Sequence, residues 1–448
     1  MTDRIQENHD RLAKLLDDCL AAGADAVDAR LGVSDGVSVD IREGKLESVE
    51  RSESAGVSLR CFVGLRQAHV SGSDLSADGL AALSERCVAM AKAAPEDKYC
   101  GLAAAGELSF EDRDLDAAGD GEIAADILER TALQAEATAL DVDGIKQVSD
   151  CSASWSSSES WVAASNGFAR HRAGSASSLA VVCIAEQDGR MERSYEARRS
   201  RYVSDRPGPE DIGLKAAEKT LARLGARKVE TQTAPVIYDR EVAGSLVSAL
   251  LGAISGPSIA RGISFLKDRM GDAVFGADVT IVDDPFRRRG LASRLFDGEG
   301  RAVQETRLID KGVLTQWLLN GPSARQLGLV PNGFSSFGFG DPPGVTTSNL
   351  YMEAGAESVE SMMTRLGRGL LVTTMFGPSI NSNTGDYSVG VGGNWFENGV
   401  LQHAVSEVTI AGNLIDMFAR LVPADDLELI GTRDTPSILV EDMSIAGN

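Results

Sequence analysis

Histidine is scarce: four in 448 residues (His9, His69, His171 and His403), none followed by glutamate and no two close enough in sequence for a local metal pair. A hydrolytic zinc site needs about three protein ligands around an open position, and local spacing supplies no such set here. The six cysteines (19, 61, 87, 100, 151 and 183) include no C-x-x-C pair, and all precede residue 184. Reduced thiols are therefore expected in place of a disulfide framework. No apolar run reaches the roughly 18 to 20 residues of a membrane helix. The opening "MTDRIQENHDRLAKLL" has acidic and polar residues where a secretory signal needs an apolar core, so a cytoplasmic location is expected. Positive charge is short as well. The net charge of −22 argues against an electrostatic grip on nucleic acid or anionic membrane, and neither is expected as a partner. The short basic clusters "EARRSRY" (196–202) and "FRRRG" (286–290) read as solvated strand edges or loops.

What is present suits a soluble globular protein, with 43% hydrophobic and 25% charged residues and enough chain for two or three domains. Ile5, Leu12, Leu15, Leu16, Cys19 and Leu20 share one face at helical spacing, predicting an amphipathic helix over 4–22. Short alternating runs follow and read as an antiparallel meander with turns at Gly36, Gly44, Gly56 and Gly64. A helix over 76–93 has Ser76 as its N-cap. An acidic linker over 101–121, a helix over 122–139, further strands (144–156, 158–168, 178–189, 191–205) and a helix over 209–224 complete a first α+β half. A strand at 234–239 begins a β-rich, glycine-rich second half with short helices over 321–328, 357–366 and 412–421. Strand–helix alternation is nowhere regular enough for a doubly wound parallel sheet. The expected fold is α+β with two domains: residues 1–228, a helix and antiparallel-sheet layer, and residues 229–448, β-rich with peripheral helices.

Several motifs invite chemistry and have plainer readings. "GVSDG" (32–36) matches G-x-S-x-G around Ser34, but a strand follows where the nucleophile elbow needs a helix. "DRDLDAAGDGE" (112–122) lacks ligands that a calcium loop requires. No phosphate-loop motif occurs, and "FGFGDPPG" (337–344) opens no helix suited to a dinucleotide. Asp283 with Asp284, and Asp297 with Glu299, suggest acid–base pairs, yet "DDP" and "DGEG" are also turn signals. "NSNTGDYSVGVGGNWFENG" (381–399) is harder to set aside. Glycines in a strand-like run let another backbone approach, so Gly385, Asp386, Tyr387, Gly390, Gly392, Gly393 and Asn394 are candidate substrate-binding residues that would accept an extended peptide by strand addition. Bulged, tightly packed β-structure is the other reading of the same run.

Four longer segments, "VAGSLVSALLGAISGPSIARGISFLKDRMG", "DDPFRRRGLASRLFDGEG", "LIDKGVLTQWLLNGPSARQLGL" and "NTGDYSVGVGGNWFENGVLQHAVSEVTIAGNLIDMF", together with "IREGKLESVERSESAGVSLRCFVG" near the start, resemble the TldD/PmbA family over nearly the whole chain. The likeness is nearest to the PmbA (TldE) branch. It implies two-domain subunits that pair into a cytosolic metalloprotease acting on small or unfolded polypeptides; family members have also been labelled modulators of DNA gyrase. In the TldD branch an H-E-x-x-x-H helix and a cysteine near the C-terminus bind zinc. Here the corresponding stretch, "SLVSALLGAISG" (245–256), has only small and aliphatic side chains, and Ile430-Gly431-Thr432 stands about where the cysteine would be. The resemblance thus implies no catalytic residues, no metal and no cofactor on this chain, with zinc on a TldD-like partner in a heteromer. The cleft-forming residues are expected in 381–394 and in the loop 333–344. A homodimeric, non-catalytic peptide-binding or regulatory protein is the alternative.

Overall fold

A computed structural model describes residues 2–338 and 343–447, and the side chains of Thr2 and Asp3 are not described. Helix α1 (Thr2–Ala21) leads into two long strands, β1 (Ala26–Arg42) and β2 (Lys45–Val63), and the shorter β3 (Arg66–Gly72). Two of the four expected turns lie elsewhere. Gly36 and Gly56 sit inside strands whose antiparallel ladder runs from Ala26↔Phe62 to Arg42↔Lys45. Gly36 serves close approach, because a Cβ there would stand 3.3 Å from the Trp155 carbonyl oxygen. Helix α2 (Ala77–Ala93) starts as its sequence predicts, with the Ser76 hydroxyl accepting from the Gly79 N–H. After α3 (Ala125–Leu140) come β4 (Ile145–Ala164), β5 (Ala169–Gln187) and β6 (Arg190–Ser200), then α4 (Pro209–Leu221). The two strands expected over 144–168 are one.

These six strands form one sheet in the order β3-β2-β1-β4-β5-β6. Period two decides its faces. Val27, Ala29 and Leu31 of β1 pack with Leu12, Leu15, Leu83 and Cys87 of α1 and α2. Val37, Val39 and Ile41, on the same face of that strand, pack with Leu128, Ala132, Ile212 and Ala216 of α3 and α4. All four helices therefore cover one face, and the other is left for the second half of the chain.

That half begins with β7 (Gln232–Tyr238), α5 (Arg240–Ala253) and the single turn α6 (Gly256–Ala260). Short strands β8 (Ile281–Asp284), β9 (Thr306–Asp310) and β10 (Val313–Leu314) follow, then α7 (Gly321–Leu327) and the pair β11 (Ser335–Ser336) and β12 (Gly344–Val345). The remainder comprises β13 (Asn349–Met352), α8 (Val359–Leu366), β14 (Arg368–Ile380), β15 (Asp386–Glu397), β16 (Val400–Asn413), α9 (Leu414–Arg420), β17 (Val422–Pro423), β18 (Arg433–Asp434) and β19 (Ile438–Ala446). One sheet runs β10-β9-β8-β13-β18 and another runs β16-β15-β14-β7-β19-β17. In the latter, β16 also pairs with β19 at Thr409–Ala411. Five strands, β16, β15, β14, β7 and β19, thus close on themselves into a barrel that removes their free edges. The chain is α+β, with pairing mainly antiparallel and parallel between β14 and β7 and between β13 and β18.

Charge joins the halves. The "FRRRG" cluster, expected to be solvated, holds the acidic linker: Arg288 and Arg289 pair with Asp116 at 3.4 and 2.7 Å, and Arg289 also reaches Asp205 at 3.0 Å. These arginines, with the Tyr202 hydroxyl donating at 2.6 Å, hold the Asp116 carboxyl down at about 2. Deeper in, Arg60 of β2 donates to Asp28 at 3.0 Å and faces Glu299 at 3.9 Å. Glu299 accepts from Arg301 at 2.6 Å, and Arg301 reaches Glu107 at 2.8 Å.

Candidate functional site

The helix-free face of the N-terminal sheet forms the floor of a cleft of about 1490 Å³, walled by residues 112–118, 291–296, 346–347 and 431–432. This exceeds the roughly 300–1,000 Å³ of a small-molecule pocket. The pairing register explains its shape. Arg30, Gly32 and Ser34 of β1 lie opposite Val162, Ser160 and Ser158 of β4, which lie opposite Arg170, Arg172 and Gly174 of β5. Alternate residues of "SASWSSSES" (152–160) are serines on this face, while Ala153, Trp155 and Trp161 turn to the helices. Small hydroxyls leave the space open, and arginines rise at its end.

Seven arginines line the cleft against three carboxylates, Asp112, Asp114 and Glu159. Three of the seven are spent structurally. Arg201 donates to the carbonyls of Ala117, Ser175, Gly290 and Leu291, Arg170 to that of Glu111, and Arg113 lies over the Phe286 ring. Of the others, Arg172 donates through Nε to the Ser160 hydroxyl at 2.9 Å, and Arg294 to the Thr346 carbonyl at 2.9 Å. Arg172 is exposed to the open cleft, with protein crowding its guanidinium from the sides. That crowding, with the charges of Arg30 and Arg294, pushes it down to about 9. Glu159 is engaged at the rim, within 3.0 Å of His171 Nε2. His171 in turn stacks on Trp161 with ring centroids 4.6 Å apart. Burial and the His171 charge lower His9.

The two stretches likened to a zinc site do meet in space. Ser248 of α5 accepts from Arg433 of β18 at 3.0 Å, and Gly431 and Thr432 border the cleft. At that meeting stand a hydroxyl, a guanidinium and small side chains, which do not make a zinc donor set. Among the described residues no three His, Cys, Asp or Glu side chains gather elsewhere in a way that could hold a metal ion.

The seven candidate substrate residues fall outside the cleft. Gly385 ends the turn before β15, and Asp386, Tyr387, Gly390, Gly392, Gly393 and Asn394 lie on β15 itself. That strand is paired on both sides, to β14 and β16, so its main-chain groups are already used and strand addition has no edge to act on. A Cβ on Gly393 would fall 1.9 Å from the Leu371 carbonyl oxygen, and one on Gly392 would fall 2.7 Å from Thr374 Oγ1. The glycines serve barrel packing. Tyr387 is buried, which lifts its phenol to about 12, and the exposed Asp386 carboxylate accepts from Thr384 at 2.7 Å and Asn413 at 3.1 Å. Of the loop 333–344, residues 339–342 lie outside the described residues; Phe337 packs near His69, with ring centroids 5.7 Å apart.

The other singled-out residues have structural partners. Ser34 shares a hydrogen bond with Ser54 at 2.7 Å. Asp283 is buried and accepts from Ser348 N–H and hydroxyl. Asp297 accepts from the N–H groups of Glu299, Arg301 and Ser335, while burial and the Glu299 charge raise it to about 6. What sequence reading missed was the cleft floor. Its only signal was the serine alternation in 152–160 and the arginines spaced two apart at 170 and 172.

Family models of the PmbA/TldA metallopeptidase match three parts of the chain: domain 1 over 27–91, the central domain over 122–224 and the C-terminal domain over 231–447. The metalloprotease PmbA of Escherichia coli O157:H7 is 35% identical over 433 residues, 96% of this chain and 94% of that protein. The chain belongs to the PmbA/TldD family. A metalloprotease PmbA homologue of Haemophilus influenzae is 33% identical over 95% of this chain and 93% of its own length. Among solved structures, a Bacteroides thetaiotaomicron protein named as a modulator of DNA gyrase superposes with a TM-score of 0.91 at 25% identity over 99% of each chain. TldE of Thermococcus kodakarensis shares the fold, with a TM-score of 0.85 at 19% identity over 98% of this chain and 100% of that one. No helix among the described residues is long and apolar enough to cross a membrane.

Proposed function

We propose that this PmbA/TldD-family chain is the zinc-free subunit of a two-component TldD–TldE-type cytosolic metalloprotease. It completes the substrate cleft around a TldD-like partner's zinc and helps to hold small or unfolded polypeptides. One observation carries the reading: where α5 meets residues 430–434, Ser248 and Arg433 face each other in a corner without a zinc donor set. A guanidinium at such a place repels a divalent cation. Hydrolytic power then comes from the other subunit, and this chain contributes binding surface. The large hydroxyl-lined cleft is the surface it offers, in place of the barrel strand 386–394.

The test is metal analysis of the purified chain, followed by peptide hydrolysis with and without a family member carrying H-E-x-x-x-H. Hydrolysis is expected only in the mixture and is lost with chelator. Chelator-sensitive hydrolysis by the pure chain overturns the reading.

A further inference from the structure

The cleft gathers seven arginines against three carboxylates on a chain whose net charge is −22, and Asp283 and Asp297 act on Arg294 only from beyond ion-pair distance. Among the described residues, neither Arg172 nor Arg294 has a carboxylate within ion-pair distance, although the same chain pairs Arg60, Arg287, Arg289 and Arg301 with acids. Arg172 is exposed to the open cleft and Arg294 is half-buried beside it, and neighbouring guanidinium groups repel one another unless an anion joins them. Arg294 adds a second sign. Its Nε is buried without a hydrogen-bond partner, while its Nη2 is anchored to the Gly333 and Thr346 carbonyls. Arg172 is held by Ser160 directly across the sheet. Arg172 is thus positioned by the floor and Arg294 by the wall, with donors left over.

We infer that Arg172 and Arg294, with Arg30 beside them, form an oxyanion subsite that holds a carboxylate of an extended peptide lying along the serine-lined floor. The inference rests on the peptide-cleft reading above and adds the chemical class recognised. A guanidinium presents a planar fork that matches a carboxylate with two parallel N–H···O bonds, and the serine rows offer donors and acceptors to a peptide backbone without selecting its side chains. Two sources can supply the carboxylate: the peptide's own C-terminus or an acidic side chain.

The experiment uses the full chain and N-terminally labelled peptides of one sequence in three forms: free C-terminal acid, C-terminal amide, and amide with one internal glutamate. Binding is followed by fluorescence anisotropy at low ionic strength, with inorganic phosphate as a competitor. A peptide with a carboxylate in the favoured place is expected to bind about tenfold more tightly than the plain amide; whether the acid or the glutamate form gains names the source. Arg172→Gln abolishes that gain, so that the three forms bind alike, and leaves the thermal midpoint unchanged; Arg172→Lys restores part of the gain because charge without the fork remains. Equal binding of all three forms overturns the carboxylate subsite while leaving the peptide cleft standing. Binding of phosphate without preference among the peptides also overturns it. If no peptide binds in any form, the peptide-cleft reading falls with it.

Discussion

Two tracts of small residues run through the centres of two sheets, and they serve opposite ends. In β15, Gly390, Gly392 and Gly393 are met from the neighbouring strands by Phe376, Thr374 and Leu371; the room that the missing side chains leave is filled by protein. On the N-terminal sheet, Ser34, Ser156 and Ser158 border an open cleft; the room is left empty. Local sequence is alike in both, since each strand lacks bulk and each is paired on both edges. The layer opposite makes the difference. A closed barrel brings its own strands inward, whereas the sheet's second face meets a C-terminal half that stands off from it.

The sharpest way to break this comparison is Gly393→Val. With the Leu371 carbonyl at 1.9 Å from any Cβ, the barrel must distort, and a loss of about 4 kcal/mol is expected from urea unfolding; an unchanged midpoint would show that the strand is not packed as described. Next in size is the buried carboxyl beside the junction. Asp297 is raised to about 6 in the folded chain, against about 3.9 unfolded. Because the folded state holds this proton more tightly, its contribution is most favourable below about pH 4, declines as pH rises to about 6 and is level above that. About two pK units amount to about 3 kcal/mol. The difference in urea midpoint between Asp297→Asn and the natural chain is therefore expected to shift across pH 4 to 6, and a constant difference contradicts it.

A smaller effect is expected of Gly36→Ala, the counterpart substitution in β1. Its Cβ would meet the Trp155 carbonyl at 3.3 Å, a contact that a few tenths of an ångström relieve, so about 1 kcal/mol should be lost. Smallest is Ser34→Ala on the cleft floor. It removes one exposed hydroxyl pair and should change stability by less than about 0.5 kcal/mol, while a large loss would mean that the cleft face is packed after all.

Much of the fold was legible. The amphipathic face of α1, the Ser76 cap and the start of α4 at Pro209 all rest on local chemistry, and local chemistry survives folding. The glycine turns were legible only where the chain reverses, at Gly44 and Gly64, because Gly36 and Gly56 owe their identity to neighbours in space. The candidate substrate residues lie on a strand paired at both edges and outside the cleft, which local sequence could not show for the same reason. A glycine-rich strand signals that something approaches closely, and the signal is the same whether a ligand or the next barrel strand does so. The corner of α5 and residues 430–434 was legible as two stretches lacking metal donors; that Arg433 reaches Ser248 there was not. Nor was the fate of "FRRRG", whose acidic partners lie far away in sequence.

By itself the sequence determined where helices begin, that strands alternate, and that histidines and cysteines are few, because these follow from residue type and spacing along the chain. Only the tertiary structure decided that β15 closes into a barrel and that the serine face stays open. It alone decided that Arg30, Arg172 and Arg294 share one site. Long-range pairing sets each of these, and no local pattern encodes which surface a strand will face.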